Sequence, residues 1–160
     1  MFKCEKYQGC GNDFIVCEYD KNIDYSIITP KVCNRFIGIG ADTLLAIDSK
    51  NKQIWFYNAD GTYAPMCGNG IRCAAAYLKH NNYINNQDSI DIQTETGIRK
   101  VYYLENDLYK INMGKPSFKK EDILRQNQKQ IHLYRYAYHP WLWRCRCHWR
   151  LYLYSDCRKL

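Results

Sequence analysis

Residues 70–80, Gly-Ile-Arg-Cys-Ala-Ala-Ala-Tyr-Leu-Lys-His, are small and apolar on nearly every side until a polar end. A helix of that composition has no face to give to water and belongs inside a protein, so the rest of the chain must wall it in. The flanking sequence supplies wall material. Runs at 2–7, 14–19, 43–47 and 53–58 are rich in β-branched and aromatic residues, and Gly, Asn or Asp bound each one. Beyond the helix, Ile90, Ile92 and Thr94 alternate, and two further runs at 98–104 and 108–113 are separated by turn residues, the pattern of a meander. Thr29-Pro30-Lys31 places an N-cap residue before proline at the first helical position and predicts a short second helix that stops before Gly38 and Gly40. The expected class is α+β: a curved, mainly antiparallel sheet wrapped around a central helix, ending near Pro116.

At 160 residues and 46% hydrophobic, the chain can build one ordinary core and carry an appendage. Its first residues, Met-Phe-Lys-Cys-Glu-Lys, mix charge with apolar groups. Neither a secretion signal nor a membrane span is readable there, and a cytoplasmic location is expected. The nine cysteines are odd in number and scattered, which points to reduced thiols rather than a disulfide framework. The net charge of +7 is unevenly spread: residues 1–125 hold 16 of the 23 basic and 15 of the 16 acidic residues. The body is nearly neutral, so nucleic-acid binding by a basic patch on the folded part is not expected.

Composition divides the chain into a body, 1–118, and a basic, aromatic tail, 119–160. Three of the four tryptophans fall in the tail, which has no glycine and few acids after residue 126. So many aromatics suit no soluble surface, and the segment reads as out-of-frame or disordered sequence following an interrupted coding region. The alternative is an ordered metal- or RNA-binding segment. Cys145, Cys147, His148 and His139 are its candidate ligands, although one C-x-C lacks the paired spacing of structural zinc sites. No metal and no cofactor is expected.

Chemistry concentrates in three loop clusters: Gly9-Cys10-Gly11-Asn12-Asp13-Phe14, Gly38-Ile39-Gly40-Ala41-Asp42, and Asn58-Ala59-Asp60-Gly61 leading to Met66-Cys67-Gly68-Asn69-Gly70. The first lacks the third glycine and the strand-turn-helix setting of a dinucleotide fingerprint. Cys67 stands where the buried helix begins. Its thiolate would feel the positive end of the helix dipole, and a lowered thiol pKa is expected. The backbone amides freed at the same helix start suit a substrate carboxylate. Acid/base group and anion holder side by side fit proton abstraction next to a carboxylate. Read alone, Cys67 is more readily an inert buried thiol, as most cysteines are, the reading that also suits Cys73 inside the helix.

These motifs, Gly-Cys-Gly-Asn-Asp-Phe at 9–14, Gly-Ile-Gly-Ala-Asp at 38–42, Tyr-Asn-Ala-Asp-Gly at 57–61 and Met-Cys-Gly-Asn-Gly-Ile-Arg-Cys at 66–73, resemble in order and spacing the N-terminal half of the diaminopimelate epimerase family. The resemblance spans about residues 2–118. It implies one lobe of a two-lobed fold and a cofactor-independent isomerase that converts LL- to meso-diaminopimelate by two-cysteine proton transfer, in lysine biosynthesis. It further implies Cys67 as one catalytic cysteine, Gly68 and Asn69 at the substrate carboxylate, and Asn12 and Asn58 as polar contacts. Family members commonly carry Gln where this chain has Thr43, a shorter group for the substrate contact at that position. The family's second lobe, with its partner cysteine in an Ala-Cys-Gly motif, has no counterpart after Pro116.

Three readings follow. The chain is an enzyme of this family or a related amino-acid racemase; or it is an inactive half-enzyme that self-associates through an open cleft; or it is a nucleic-acid or membrane-surface module acting through the tail. The body favours the first for ancestry and the second for activity, with a small amino acid as ligand and neither membrane nor nucleic acid as partner.

Overall fold

The computed structural model describes residues 2–84, 88–104 and 107–113, together with the backbone of 145–146 and 151–155. The central helix, α2, runs Gly68–His80. Around it lie β1 (Phe2–Gly9), β2 (Asn12–Glu18), β3 (Thr43–Asp48), β4 (Gln53–Asn58) with the short β5 (Tyr63–Ala64), β6 (Ser89–Thr94), β7 (Gly97–Tyr103) and β8 (Leu108–Ile111). All belong to one sheet in the order β1-β2-β3-β4-β6-β7-β8, with β5 paired to β4 off that path. From the tail, β10 (Leu151–Ser155) lies antiparallel to β1, and β9 (Cys145–Arg146) lies antiparallel to β8. The rest of the tail, including His139, Cys147, His148 and Cys157, and the boundary near Pro116 lie outside the described residues.

The α+β curved sheet around a central helix is what the sequence predicts. The strand pairing is more mixed than expected: β2 runs parallel to β3 over Phe14–Glu18, and β4 meets β6 in parallel at Gln53 and Gln93. The reason is connectivity. A helix lies between the strands in each case, α1 (Tyr25–Val32) in the first and α2 in the second, and such a crossover returns the chain in the same direction.

The sheet buries both faces where it matters. Tyr7, Phe14, Val16, Leu45, Ile47, Ile54, Phe56, Ile90, Ile92, Val101 and Tyr109 face α2, whose segment Ile71–Leu78 is buried with them. On the other face, Cys4, Ile15, Cys17, Leu44 and Ala46 pack under α1 through Tyr25, Val32 and Cys33. That accounts for the unbroken apolar runs of β2 and β3.

Helix α1 spans Tyr25–Val32, a turn earlier than Thr29-Pro30 suggests. Its N-cap is Asp24, whose carboxylate accepts the Ser26 N–H at 3.0 Å and the Ser26 hydroxyl at 2.6 Å. Pro30 thus sits inside the last turn, where it cannot donate to the Ser26 carbonyl. Gly61 occupies the space beside that carbonyl. A Cβ there would come within 2.3 Å of the Ser26 oxygen, and its φ of +85° is one that glycine adopts without strain.

Candidate active site

Cys67 is the N-cap of α2, in an extended conformation with φ −145° and ψ 111°. It is half-buried, and its Sγ accepts the Gly70 N–H at 3.4 Å. The first intrahelical bond, Ile71 N–H to the Cys67 carbonyl at 2.9 Å, starts directly after it. Burial pushes the Cys67 thiol above its ordinary range. The Gly70 and Asn69 amides and the nearby Arg72 charge pull it down without overcoming that. The lowered pKa expected from the helix start is therefore corrected: desolvation outweighs the helix amides. A second consequence follows. The Gly70 amide serves the sulfur, so the helix start offers an incoming carboxylate fewer donors than a bare terminus would.

The other motif residues converge through backbone contacts. The β1–β2 hairpin meets the start of α2 at Gly9, where an added Cβ would lie 3.3 Å from Cys73 Sγ and 3.5 Å from the Asn69 carbonyl, while an added Cβ on Gly11 at the tip would meet nothing within 4 Å. The 9–14 cluster is tied to the 38–42 cluster by the Asp42 N–H, which donates to the Asp13 carbonyl at 3.1 Å and to Asp13 Oδ1 at 2.9 Å. The 58–61 cluster is tied to Asp42 in turn by the Ala59 N–H, 3.0 Å from the Asp42 carbonyl. Asn58 and Thr43 sit opposite each other across β4 and β3.

Each predicted contact residue has a distinct setting. Asn12, at the start of β2, has a buried Oδ1 with no hydrogen-bond partner among the described residues. Asn58 is exposed and donates its amide to Thr62 Oγ1 at 3.0 Å, which leaves its oxygen for an external donor. Thr43 is 6% exposed, so little of it reaches the surface. Gly68 packs under Met113, whose Sδ would lie 3.3 Å from an added Cβ, while Met113 itself is 42% exposed. Cys73 is fully buried, in keeping with a structural thiol.

Sequence reasoning missed the brace beneath these loops. Arg35 holds Asp13 with two bonds, at 2.7 and 3.0 Å, and reaches Asp42 at 2.8 Å; Lys6 adds a contact to Asp13 at 3.1 Å and donates to the Gly40 carbonyl at 2.6 Å. Although burial pushes the Asp13 carboxyl up, the hydrogen bonds from Arg35, Lys6 and the Asp42 amide hold it well below the usual carboxylate range. Acidic residues closing two glycine clusters, Asp13 and Asp42, were the available signal.

The sequence profile of the family described as diaminopimelate epimerase matches residues 4–119. The chain belongs to the diaminopimelate epimerase family. Among its curated relatives are the diaminopimelate epimerases of Prochlorococcus marinus (strain NATL2A), 43% identical over 129 residues, and of Caldanaerobacter subterraneus subsp. tengcongensis, 38% identical over 132 residues. The matches cover 74% and 78% of this chain but 45% and 48% of those relatives, so the chain spans about half their length. A solved phenazine biosynthesis protein of the PhzF family from Bacillus anthracis shares the fold: TM-score 0.51 and 15% identity, over 69% of this chain and 39% of that one. Among the described residues, no helix is long and apolar enough to cross a membrane.

Proposed function

We propose that the chain carries one half of a cofactor-independent epimerase site for diaminopimelate, with Cys67 as one of two proton-transferring cysteines, in the lysine pathway of the cytoplasm. The observation that carries this reading is Cys67 Sγ at the head of α2, hydrogen-bonded by the Gly70 amide, with the hairpin that packs on the helix start at Gly9 tied through Asp13 and Asp42 to the other two loops.

In this reading, the substrate α-carboxylate lies against Gly68 and the Asn69 carboxamide. Asn12, whose buried oxygen has no partner among the described residues, and the exposed Asn58 supply the further polar contacts to the substrate. Thr43, opposite Asn58 on the next strand and nearly buried, offers little surface for contact. The α C–H bond breaks as a thiolate takes the proton from one face, the electron pair spreads into the hydrogen-bonded carboxylate, and a thiol on the opposite face returns a proton. Cys67, whose thiol burial keeps neutral, is fitted to the proton-giving direction. The opposing thiol belongs to the second lobe that the family resemblance implies. With one lobe, the cradle works in high dielectric and without that donor, so these 160 residues should not invert the substrate alone.

The test has two arms. In deuterated water, the chain should leave the α-proton of LL- and meso-diaminopimelate unexchanged; robust exchange with inversion overturns the half-site assignment. Millimolar diaminopimelate should slow alkylation of Cys67 by iodoacetamide. Equal slowing by other amino acids would move the reading to a related racemase, and no slowing by any would remove the substrate assignment. The exposed Met113 at the mouth also suits uptake of a second chain through the open cleft, which sedimentation velocity reads as concentration-dependent self-association.

A further inference from the structure

Arg72 is the one charged residue in the buried segment of α2, and it is 1% exposed. A guanidinium carried so far from water ordinarily meets a carboxylate. No carboxylate among the described residues forms a salt bridge with Arg72. Instead, its Nη2 donates to Asn69 Oδ1 at 2.5 Å and to Cys10 Sγ at 3.5 Å, while its buried Nε has no partner among the described residues. Helix packing alone would be served better by an apolar residue, as at Cys73–Ala76 on the same helix.

The arrangement fixes a direction. Arginine has donors and no acceptor, so whichever way the Asn69 amide turns, it is its oxygen that must face Arg72. The Asn69 NH2 group is then directed away from the guanidinium, and it has no acceptor among the described residues. The same guanidinium reaches Cys10 of the β1–β2 hairpin, the neighbour of Gly9, which packs against the helix start.

We infer that Arg72 is a positioning residue: it locks the Asn69 carboxamide oxygen-inward, so that the amide NH2 is held as a donor for the substrate carboxylate, and it clamps the β1–β2 hairpin tip over the same site. The donor role toward substrate rests on the reading of Asn69 as a carboxylate contact. The lock on the Asn69 oxygen concerns the free chain alone. Its buried positive charge adds attraction for an anion at a helix start whose amides are partly spent on Cys67.

The whole chain, labelled with nitrogen-15, provides the test. Without ligand, the Arg72 guanidinium N–H resonances should be resolved and slow to exchange, and Asn69→Ala should collapse them; if they exchange freely in the wild type, the lock is refuted. On addition of meso-diaminopimelate, the Asn69 side-chain NH2 and the Gly68 amide should shift. Arg72→Met should then weaken binding about tenfold, with Arg72→Lys recovering part of it. Should Arg72→Met fail to fold, Asn69→Asp decides: it keeps an acceptor for Arg72 and removes the donor, so its melting temperature should hold while binding is lost. Unchanged binding in either variant overturns the proposal. A slow Arg72 resonance that collapses in Asn69→Ala, in a chain that diaminopimelate does not perturb, keeps the lock and removes the substrate reading instead.

Discussion

At the scale of single residues, Cys67 illustrates two opposing effects of the same location. The helix start brings N–H groups to the sulfur, but the same packing removes water from it, and burial has the larger effect. The thiol is expected to ionise at higher pH in the folded chain than in the chain unfolded in urea. Iodoacetamide labelling followed by peptide mapping measures this directly, as the pH of half-maximal rate at Cys67 in each state; a folded midpoint at or below the unfolded one contradicts the assignment. The position of several candidate residues is legible from the amino-acid sequence: Cys67, Gly68 and Asn69 stand at the helix start, where the glycine-rich loop leads. Their supports are not legible there. Thr62 orients Asn58 from four positions away, and Arg35 braces Asp13 across 22 positions. No periodicity or spacing records such contacts, since a side-chain hydrogen bond between loops depends on how the sheet brings them together.

At the scale of elements, the tightest constraint is where α2 enters the sheet. An added Cβ on Gly70 would lie 2.6 Å from Phe56 Cε1 and 3.2 Å from Phe14 Cε1. Alanine favours a helix over glycine by about 1 kcal/mol, whereas forcing a methyl into a filled core costs about 1–3 kcal/mol. Gly70→Ala is therefore expected to lower stability by about 1 kcal/mol overall in urea unfolding, the overpacking term outweighing propensity. A variant as stable as the wild type would mean that the two rings move aside. The same element shows why the fold was readable in outline. An apolar helix and alternating runs identify core and wall, and β1 to β4 and the meander fall where those runs lie. Helix α1 did not, because Thr29-Pro30 imitates a helix start while the operative cap, Asp24 with Ser26, lies among polar residues that resemble a loop. Parallel pairing was likewise hidden, since strand direction is set by the connection and not by the strand.

At the scale of the whole molecule, the wrapped sheet makes stability sensitive to alkali. Burial pushes up the thiols of Cys17 and Cys33, the latter to about 12 from an ordinary 9.0, and likewise the phenols of Tyr25, Tyr77 and Tyr103 from 10.0. Each group ionises less readily when folded than when unfolded. Their contribution to stability is thus fully present below the unfolded values and is lost as pH rises toward the folded ones, because the unfolded chain releases protons that the folded chain retains. The groups lie on both faces of the sheet, Cys17, Cys33 and Tyr25 in the layer between the sheet and α1 and Tyr77 against the inner face, so the loss is spread over both layers. The urea midpoint should hold steady from pH 7 to about 8.5, then fall through about pH 10 to 11. Cys17→Ser tests the origin of this slope in one layer. Replacing the buried thiol by a hydroxyl that does not titrate in this range should leave a shallower alkaline limb, whatever it costs at neutral pH. An unchanged slope would place the alkaline sensitivity with the tyrosines, and a midpoint that does not fall at all would mean that the buried groups ionise as easily inside the sheet as outside it.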